Sequence, residues 1–228
     1  MPNFDGKVAL ITGASSGIGE GTAVHLASLG CWLSLTSRNM VALEAVAERC
    51  RAEGVPKDKV LTTRCDVRCA EDIAAVVKRT AEHFGKIDVV INNAGIGTIA
   101  HLEEFSLQQF DDVIHTNLRS AFIMTQETLP YLQKTKGNIV NVSSVVSLRT
   151  VRHVAPYSIS KAGLDQLTQV SALGKLNIIG SNHDKIMVSP AITDTKMVFG
   201  HIKNVDDKKQ VECQTCSGVS GGLVNDVC

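Results

Sequence analysis

Long apolar runs are missing: nowhere does the sequence approach the roughly 20 uninterrupted apolar residues of a membrane-spanning helix. Net charge is missing too. The 23 basic residues cancel the 23 acidic ones, which removes the basic footprint of a nucleic-acid binder and the polybasic signal of a membrane-surface protein. Aromatic residues are few, six Phe, two Tyr and one Trp, so no substrate pocket is outlined by rings. The opening residues Met1-Pro2-Asn3-Phe4-Asp5-Gly6 lack a basic-then-apolar leader pattern, and a cytoplasmic setting is expected. Cysteine is not scarce, but its count of seven is odd, and Cys31, Cys50, Cys65 and Cys69 fall in apparent core elements. Reduced thiols are expected rather than a disulfide framework. Cys213 and Cys216 form a C-x-x-C without the further ligands of a structural zinc site, since His201 alone does not complete one; no metal is expected.

What is present is an ordinary globular balance, 44% hydrophobic and 20% charged over 228 residues, enough for one sizeable domain with a continuous core. Buried-strand runs occur at Lys7–Thr12, Cys31–Thr36, Val60–Cys65, Ile87–Asn92 and Asn138–Ser143, with a weaker sixth at Lys185–Ser189. Helical periodicity lies between them: Leu43, Val46, Ala47 and Cys50, then Ile73, Val76, Val77, Ala81 and Phe84. Ser106 to Gln109 reads as a capping box. The helix that follows carries Leu118, Ala121, Phe122, Thr125 and Leu129 on one face and is expected to stop near Pro130. Regular strand–helix alternation implies right-handed crossovers, hence an α/β, doubly wound parallel sheet (a Rossmann fold) in a single domain.

The first strand runs into Thr12-Gly13-Ala14-Ser15-Ser16-Gly17-Ile18-Gly19 and then a helix. Gly13 permits the tight turn, Gly17 clears space for a pyrophosphate, and Gly19 lets the helix pack on the sheet. The helix N-terminus presents amides to phosphates, and Ser15 and Ser16 add hydroxyls. The second strand ends Thr36-Ser37-Arg38-Asn39. An acid, which would bind a ribose 2′-hydroxyl and repel a 2′-phosphate, is absent there, while Arg38 offers a guanidinium and Ser37 a hydrogen bond. NADP(H) is favoured over NAD(H).

Tyr157 and Lys161 stand at i and i+4 near the start of a helix and share a face. A neighbouring ammonium favours the phenolate, so Lys161 is expected to lower the pKa of Tyr157 into a range where it can exchange protons. Ser144 ends the fifth strand, where parallel sheets place their sites. Asn117 either relays protons through a water or satisfies local backbone groups.

At this point the residues resemble the short-chain dehydrogenase/reductase family, classical type. Thr12–Gly19 matches its T-G-x-x-x-G-x-G turn, Asn92-Asn93-Ala94-Gly95 its N-N-A-G motif, and Asp66-Val67 its adenine-side acid and apolar residue. Asn117, Ser144, Tyr157 and Lys161 fall on its catalytic tetrad. The likeness covers residues 7 to about 173 and is nearest to 3-oxoacyl-acyl-carrier-protein reductases. It implies that Tyr157 is the general acid in reduction, that Ser144 orients the carbonyl and that Lys161 binds the nicotinamide ribose. Asn117 would support a water-linked proton relay, and Asn93, Ala94 and Gly95 would line the cofactor site. The substrate would be a small carbonyl or alcohol compound.

After Leu173 the likeness decays. Gly174 and Gly180 fall where the helix should finish, and Ser189-Pro190-Ala191 replaces the family's Pro-Gly. Pro190, Ile192 and Thr195 still align with its nicotinamide-side residues. The catalytic domain is therefore placed at residues 1–195, with a divergent segment at 196–228 in place of the usual lid and last strand. A missing seventh strand would leave an exposed sheet edge, and because the family's tetramer uses that region, a homo-oligomer in the form of a dimer or loosened tetramer is expected. Two other functions stay open: a cofactor-binding chain whose altered end prevents turnover, acting as a sensor or partner subunit, and a sugar-nucleotide epimerase with the same Tyr/Lys pair. The shortness of the chain after residue 196 counts against the epimerase.

Overall fold

Alternation along the first strand sets the layers. Ala9 and Ile11 pack with Ala23, Ala27, Leu43 and Val46, whereas Leu10 between them packs with Ile73, Val76, Met124 and Leu132. Both faces of the sheet are thus covered by helices. Each fully buried aliphatic side chain contributes about 1.5–3 kcal/mol.

The structure, a computed structural model, describes residues 4–149, 151–173 and 186–188. Its strands are β1 (Val8–Thr12), β2 (Trp32–Ser37), β3 (Val60–Arg64), β4 (Val89–Asn92), β5 (Asn138–Val142) and β6 (Ile186–Val188). The helices are α1 (Gly17–Ser28), α2 (Met40–Ala52), α3 (Ala70–Phe84), α4 (Leu107–Ile114), α5 (Ser120–Thr135) and α6 (Ala155–Leu173). The strands run parallel in the order β3-β2-β1-β4-β5-β6. From β1 the chain builds outward to β2 and β3; it then returns to the other side of β1 with β4. That reversal opens a crevice at the carboxyl ends of β1 and β4, where such sheets bind ligands.

The expected alternation, the first five strands and the Ser106 capping box are all present; Ser106 Oγ accepts from Gln109 N at 3.2 Å and Gln109 Oε1 from Ser106 N at 2.9 Å. Two expectations about α5 fail. The helix does not stop near Pro130 but runs through it to Thr135. A proline inside a helix costs about 3 kcal/mol, yet Leu132 is fully buried beyond it and Thr135 Oγ1 donates to the Ile87 carbonyl at 2.8 Å. Packing outweighs the lost hydrogen bond. Phe122 is not on the buried face either: it is 48% exposed, and the sheet-facing stripe is Ala121, Met124, Thr125, Thr128 and Leu132.

Cys31, Cys50 and Cys65 are buried free thiols, while Cys69 is only half-buried at the start of α3. Burial pushes Cys31 up to about 12 and Cys50 and Cys65 up to about 11, so these three stay protonated and inert. Pro190, Ile192, Thr195, the segment 196–228 with Cys213 and Cys216, and the seventh-strand edge lie outside the described residues.

Candidate active site

The crevice is braced by one threonine. Thr12, the last residue of β1, uses Oγ1 to accept from the amides of both Asn93 and Ala94 at 3.0 Å. In return, the Asn93 amide group donates to the carbonyls of Thr12 at 3.0 Å and Gly13 at 3.1 Å. The glycine turn after β1 and the N-N-A-G stretch after β4 are therefore one hydrogen-bonded unit.

Two glycines of that unit are required by space. Gly13 has φ +65°, and a Cβ on it would stand 2.9 Å from the Ala94 Cα. A Cβ on Gly19 would stand 2.4 Å from both Asn93 Nδ2 and the Gly13 carbonyl oxygen. The backbone forms a cradle open to a ligand only while these positions carry no side chain. Ser15 and Ser37 meet across it, with Ser37 Oγ donating to Ser15 Oγ at 2.8 Å and accepting from Asn39 N at 3.0 Å. Ser16 leads into α1 without capping it through its side chain, and Gly17 (φ +58°) begins the helix, with Ile18 half-buried behind it. This donor set fits a dinucleotide: backbone and hydroxyl groups where phosphates would lie, and the exposed cation Arg38 beside Ser37.

Asp66, after β3, is not a free acid. Its carboxylate accepts from Arg68 Nε at 3.0 Å, from an Arg68 terminal nitrogen at 2.7 Å and from the Arg68 amide at 3.1 Å. These hydrogen bonds, with the fields of Arg68 and Arg38, hold it down at about 2. Arg38 and Asp66 are thus close enough to act on one another, and Val67 packs against the core on the α3 side.

The tetrad candidates converge at the carboxyl end of β5. Ser144 begins the 3-10 turn Val145–Ser147, and its hydroxyl hydrogen-bonds the Tyr157 phenol from the first turn of α6. Lys161, 3% exposed one turn later, donates to the Val142 carbonyl at 2.7 Å and lies 5.5 Å from the Tyr157 ring centre. Gly97 approaches the other side of that ring, 3.5 Å from its edge if a Cβ were present. Asn117 sits in a π turn, His115–Arg119, between α4 and α5. Its amide accepts from Ile96 N at 2.8 Å and donates to the Ile96 carbonyl at 2.9 Å and to Ser160 Oγ at 3.0 Å. The side chain of Asn117 thus satisfies backbone groups and latches the loop after β4 to α6.

One expected effect is reversed. Tyr157 is not lowered by Lys161: burial pushes the phenol up, and the Ser144 hydrogen bond only partly offsets this. Lys161 itself is pushed down to about 8 by burial, with Asp165 opposing. The lysine ammonium is turned to a carbonyl, and the low-dielectric surroundings penalise both charged forms.

Three participants carry no role from sequence, Ser143, Arg68 and Asp165, and Thr12 enters there only as the first residue of the glycine turn, without the bracing role of its Oγ1. Ser143 Oγ donates to Asp165 Oδ1, tying β5 to α6 beside Lys161. Asp165 is i+4 from Lys161, so the spacing that picks out Tyr157 with Lys161 picks it out as well.

The family model for short chain dehydrogenases matches residues 7–204. A curated relative, 11-beta-hydroxysteroid dehydrogenase 1A of Arabidopsis thaliana, is 33% identical over 99% of the chain, which spans 67% of that protein's length. Among solved structures, levodione reductase superposes with a TM-score of 0.85 at 34% identity, over 92% of this chain and 82% of that one. An alcohol dehydrogenase from Thermococcus sibiricus, complexed with 5-hydroxy-NADP, superposes with a TM-score of 0.79 at 30% identity, over 94% and 91%.

Proposed function

The chain belongs to the short-chain dehydrogenase/reductase family of oxidoreductases, and from that premise we propose that it is an NADP(H)-dependent reductase of ketones or 3-oxoacyl compounds. The observation that carries this reading is the pairing of Ser144 with Tyr157 beside a buried Lys161 at the carboxyl end of β5.

The glycine turn Gly13–Gly19, with Ser15, Ser16 and Ile18, would hold the cofactor's phosphates. Ser37 and Arg38 would take the 2′-phosphate, Asp66 and Val67 the adenine, and Asn93, Ala94 and Gly95 the nearer ribose. Pro190, Ile192 and Thr195 would complete the nicotinamide side. The bound cofactor supplies or accepts the hydride. Ser144 holds the substrate oxygen by its hydroxyl, and Tyr157 donates its phenolic proton to that oxygen in reduction. Lys161 orients the ribose and stabilises the resulting phenolate, and Asn117 keeps the surrounding loop in register. Residues 1–195 form the catalytic unit in this reading.

The preference for NADP(H) draws on Arg38 and on the absence of an acid after β2; the neighbour complexed with 5-hydroxy-NADP supports it. Relatives named as a levodione reductase and a hydroxysteroid dehydrogenase support a ketone or secondary alcohol as substrate. Exposed Phe122 on α5 and Ile159 and Val170 on α6 support a homo-oligomer.

The test is titration of the purified protein with NADPH and NADH by nicotinamide fluorescence, followed by addition of small diketones, hydroxysteroids and 3-oxoacyl thioesters. Tighter NADPH binding and substrate-dependent oxidation are expected. Binding without any turnover would favour the second reading, a cofactor-binding partner subunit. That reading draws on one observation: burial raises Tyr157 rather than activating it.

A further inference from the structure

Helix α6 contacts the end of β5 through one face, at three successive turns. Tyr157 meets Ser144, Lys161 meets the Val142 carbonyl, and Asp165 meets Ser143. The third contact has no part in the reaction described above, and its chemistry is unusual. Asp165 is 6% exposed; one carboxylate oxygen accepts from Ser143, and the other is buried with no hydrogen-bond partner among the described residues. A half-satisfied carboxylate in such a place is costly unless its charge has a use. Its neighbour one turn back is the equally buried ammonium of Lys161.

We propose that Asp165 is a positioning residue for the reaction, its carboxylate fixed by Ser143 so that its charge holds Lys161 as an ammonium inside the site. The proposal rests on the reductase reading above. The groups around this pair leave Asp165 alone in that role. On α6 the other titrating group is Tyr157. β5 contributes the Val142 carbonyl and the neutral amide of Asn141, which donates to Thr168, and only the hydroxyls of Ser143 and Ser144 follow it; β6 carries Ile, Met and Val by sequence. On the α4–α5 side Asn117 is turned to Ile96 and Ser160, Asp112 is paired with Arg68, and Asp111 and His115 are exposed. Burial disfavours the charged form of Lys161, while Asp165 and the hydrogen bond to the Val142 carbonyl favour it.

The experiment is an NMR titration of protein isotopically labelled at its lysine side chains, with the Lys161 signal assigned by its loss in Lys161→Met. It needs no turnover, so it reads this inference even if no substrate is found, whereas failure of the reductase reading would appear as absent NADPH oxidation by wild type. In Asp165→Asn the Lys161 midpoint should fall by about one pH unit or more, because removing an opposite charge favours the neutral amine. Asp165→Glu should bring it part of the way back. The basic limb of the kcat–pH profile should move with the midpoint, with KM little changed. An unmoved midpoint in folded Asp165→Asn, or a moved midpoint with an unmoved limb, overturns the proposal. Should Asp165→Asn not fold, Ser143→Ala carries the test: freeing the carboxylate should lower the midpoint by about half a unit, and an unchanged midpoint overturns it.

Discussion

The side-chain amide of Asn117 closes on both polar groups of the Ile96 backbone, accepting from the N–H and donating to the carbonyl. Asn117 is 2% exposed, so water does not replace what it supplies. Asn117→Ala should therefore destabilise the protein by about 1–3 kcal/mol, the cost of unpairing two half-buried backbone groups, and should lower turnover as the loop after β4 loosens. Chemical denaturation read beside kcat checks both; unchanged stability would mean that the loop holds itself.

Tyr157→Phe retains the ring against Gly97 and removes only the oxygen shared with Ser144. NADPH affinity should stay within about twofold while kcat falls at least about a hundredfold, the usual scale of a lost general acid. Residual turnover near wild type would exclude Tyr157 as the acid.

Arg38→Asp places a negative charge where a 2′-phosphate would lie. The ratio of NADPH to NADH affinity should invert, with a change of at least about tenfold, since a charged hydrogen bond is worth about 1.5–3 kcal/mol. Fluorescence titration with both cofactors reads it, and an unchanged ratio would remove the basis for NADP(H).

Gly19→Ala forces a Cβ to within 2.4 Å of Asn93 Nδ2 and of the Gly13 carbonyl oxygen. One of the two must move, and either movement breaks the brace between the β1 turn and the N-N-A-G loop. Cofactor affinity should drop at least about tenfold, with an overpacking penalty of about 1–3 kcal/mol on stability. Isothermal titration with NADPH and thermal unfolding give the two readings.

The pH dependence of Lys161 has a definite sign. Its folded value of about 8 lies below the ordinary lysine value of 10.5. Below pH 8 the group is protonated folded and unfolded, and the cost of burying the charge is borne in full. Between pH 8 and 10.5 the unfolded chain holds the extra proton, so stability rises with pH. Compared with Lys161→Met, the wild type should gain on the order of 3 kcal/mol across that window, measured by denaturant unfolding. Over the same rise in pH the ammonium is lost from the folded enzyme, so kcat should fall above about pH 8.

Legibility in the sequence followed the range of the physics. The glycine turn was readable because the demands on Gly13 and Gly19 are set by backbone geometry near a known kind of ligand, and Tyr157 with Lys161 was readable because i,i+4 spacing is local. The direction of the Tyr157 shift was not: the lysine partner shows in the sequence, but the burial that outweighs it comes from distant segments such as the loop holding Gly97. Asp165 was hidden for a similar reason, since a carboxylate on a helix reads as solvent-facing until β5 covers it. The buried face of α5 was legible at Ala121 and Thr125, and Phe122 was wrongly added to it because an i,i+4 count from Leu118 reaches one residue past the edge of that face. Pro130 fails as a stop signal because the burial of Leu132 lies in a different layer.

That π turn also governs which changes of chain length the protein can survive. One residue more is wound into His115–Arg119 than an α-helical turn would take. Deleting any one of the five lets α4 and α5 join as a regular α-helix with both flanks close to their present phase, since a π turn takes up its extra residue locally. Met124 and Leu132 then keep their places in the core, and what is lost is the local widening that turns Asn117 to Ile96. A lost codon in this stretch therefore spares the core and strikes the site, whereas a residue lost from the exposed loop after α2, at Glu53 or Gly54, would cost only local slack.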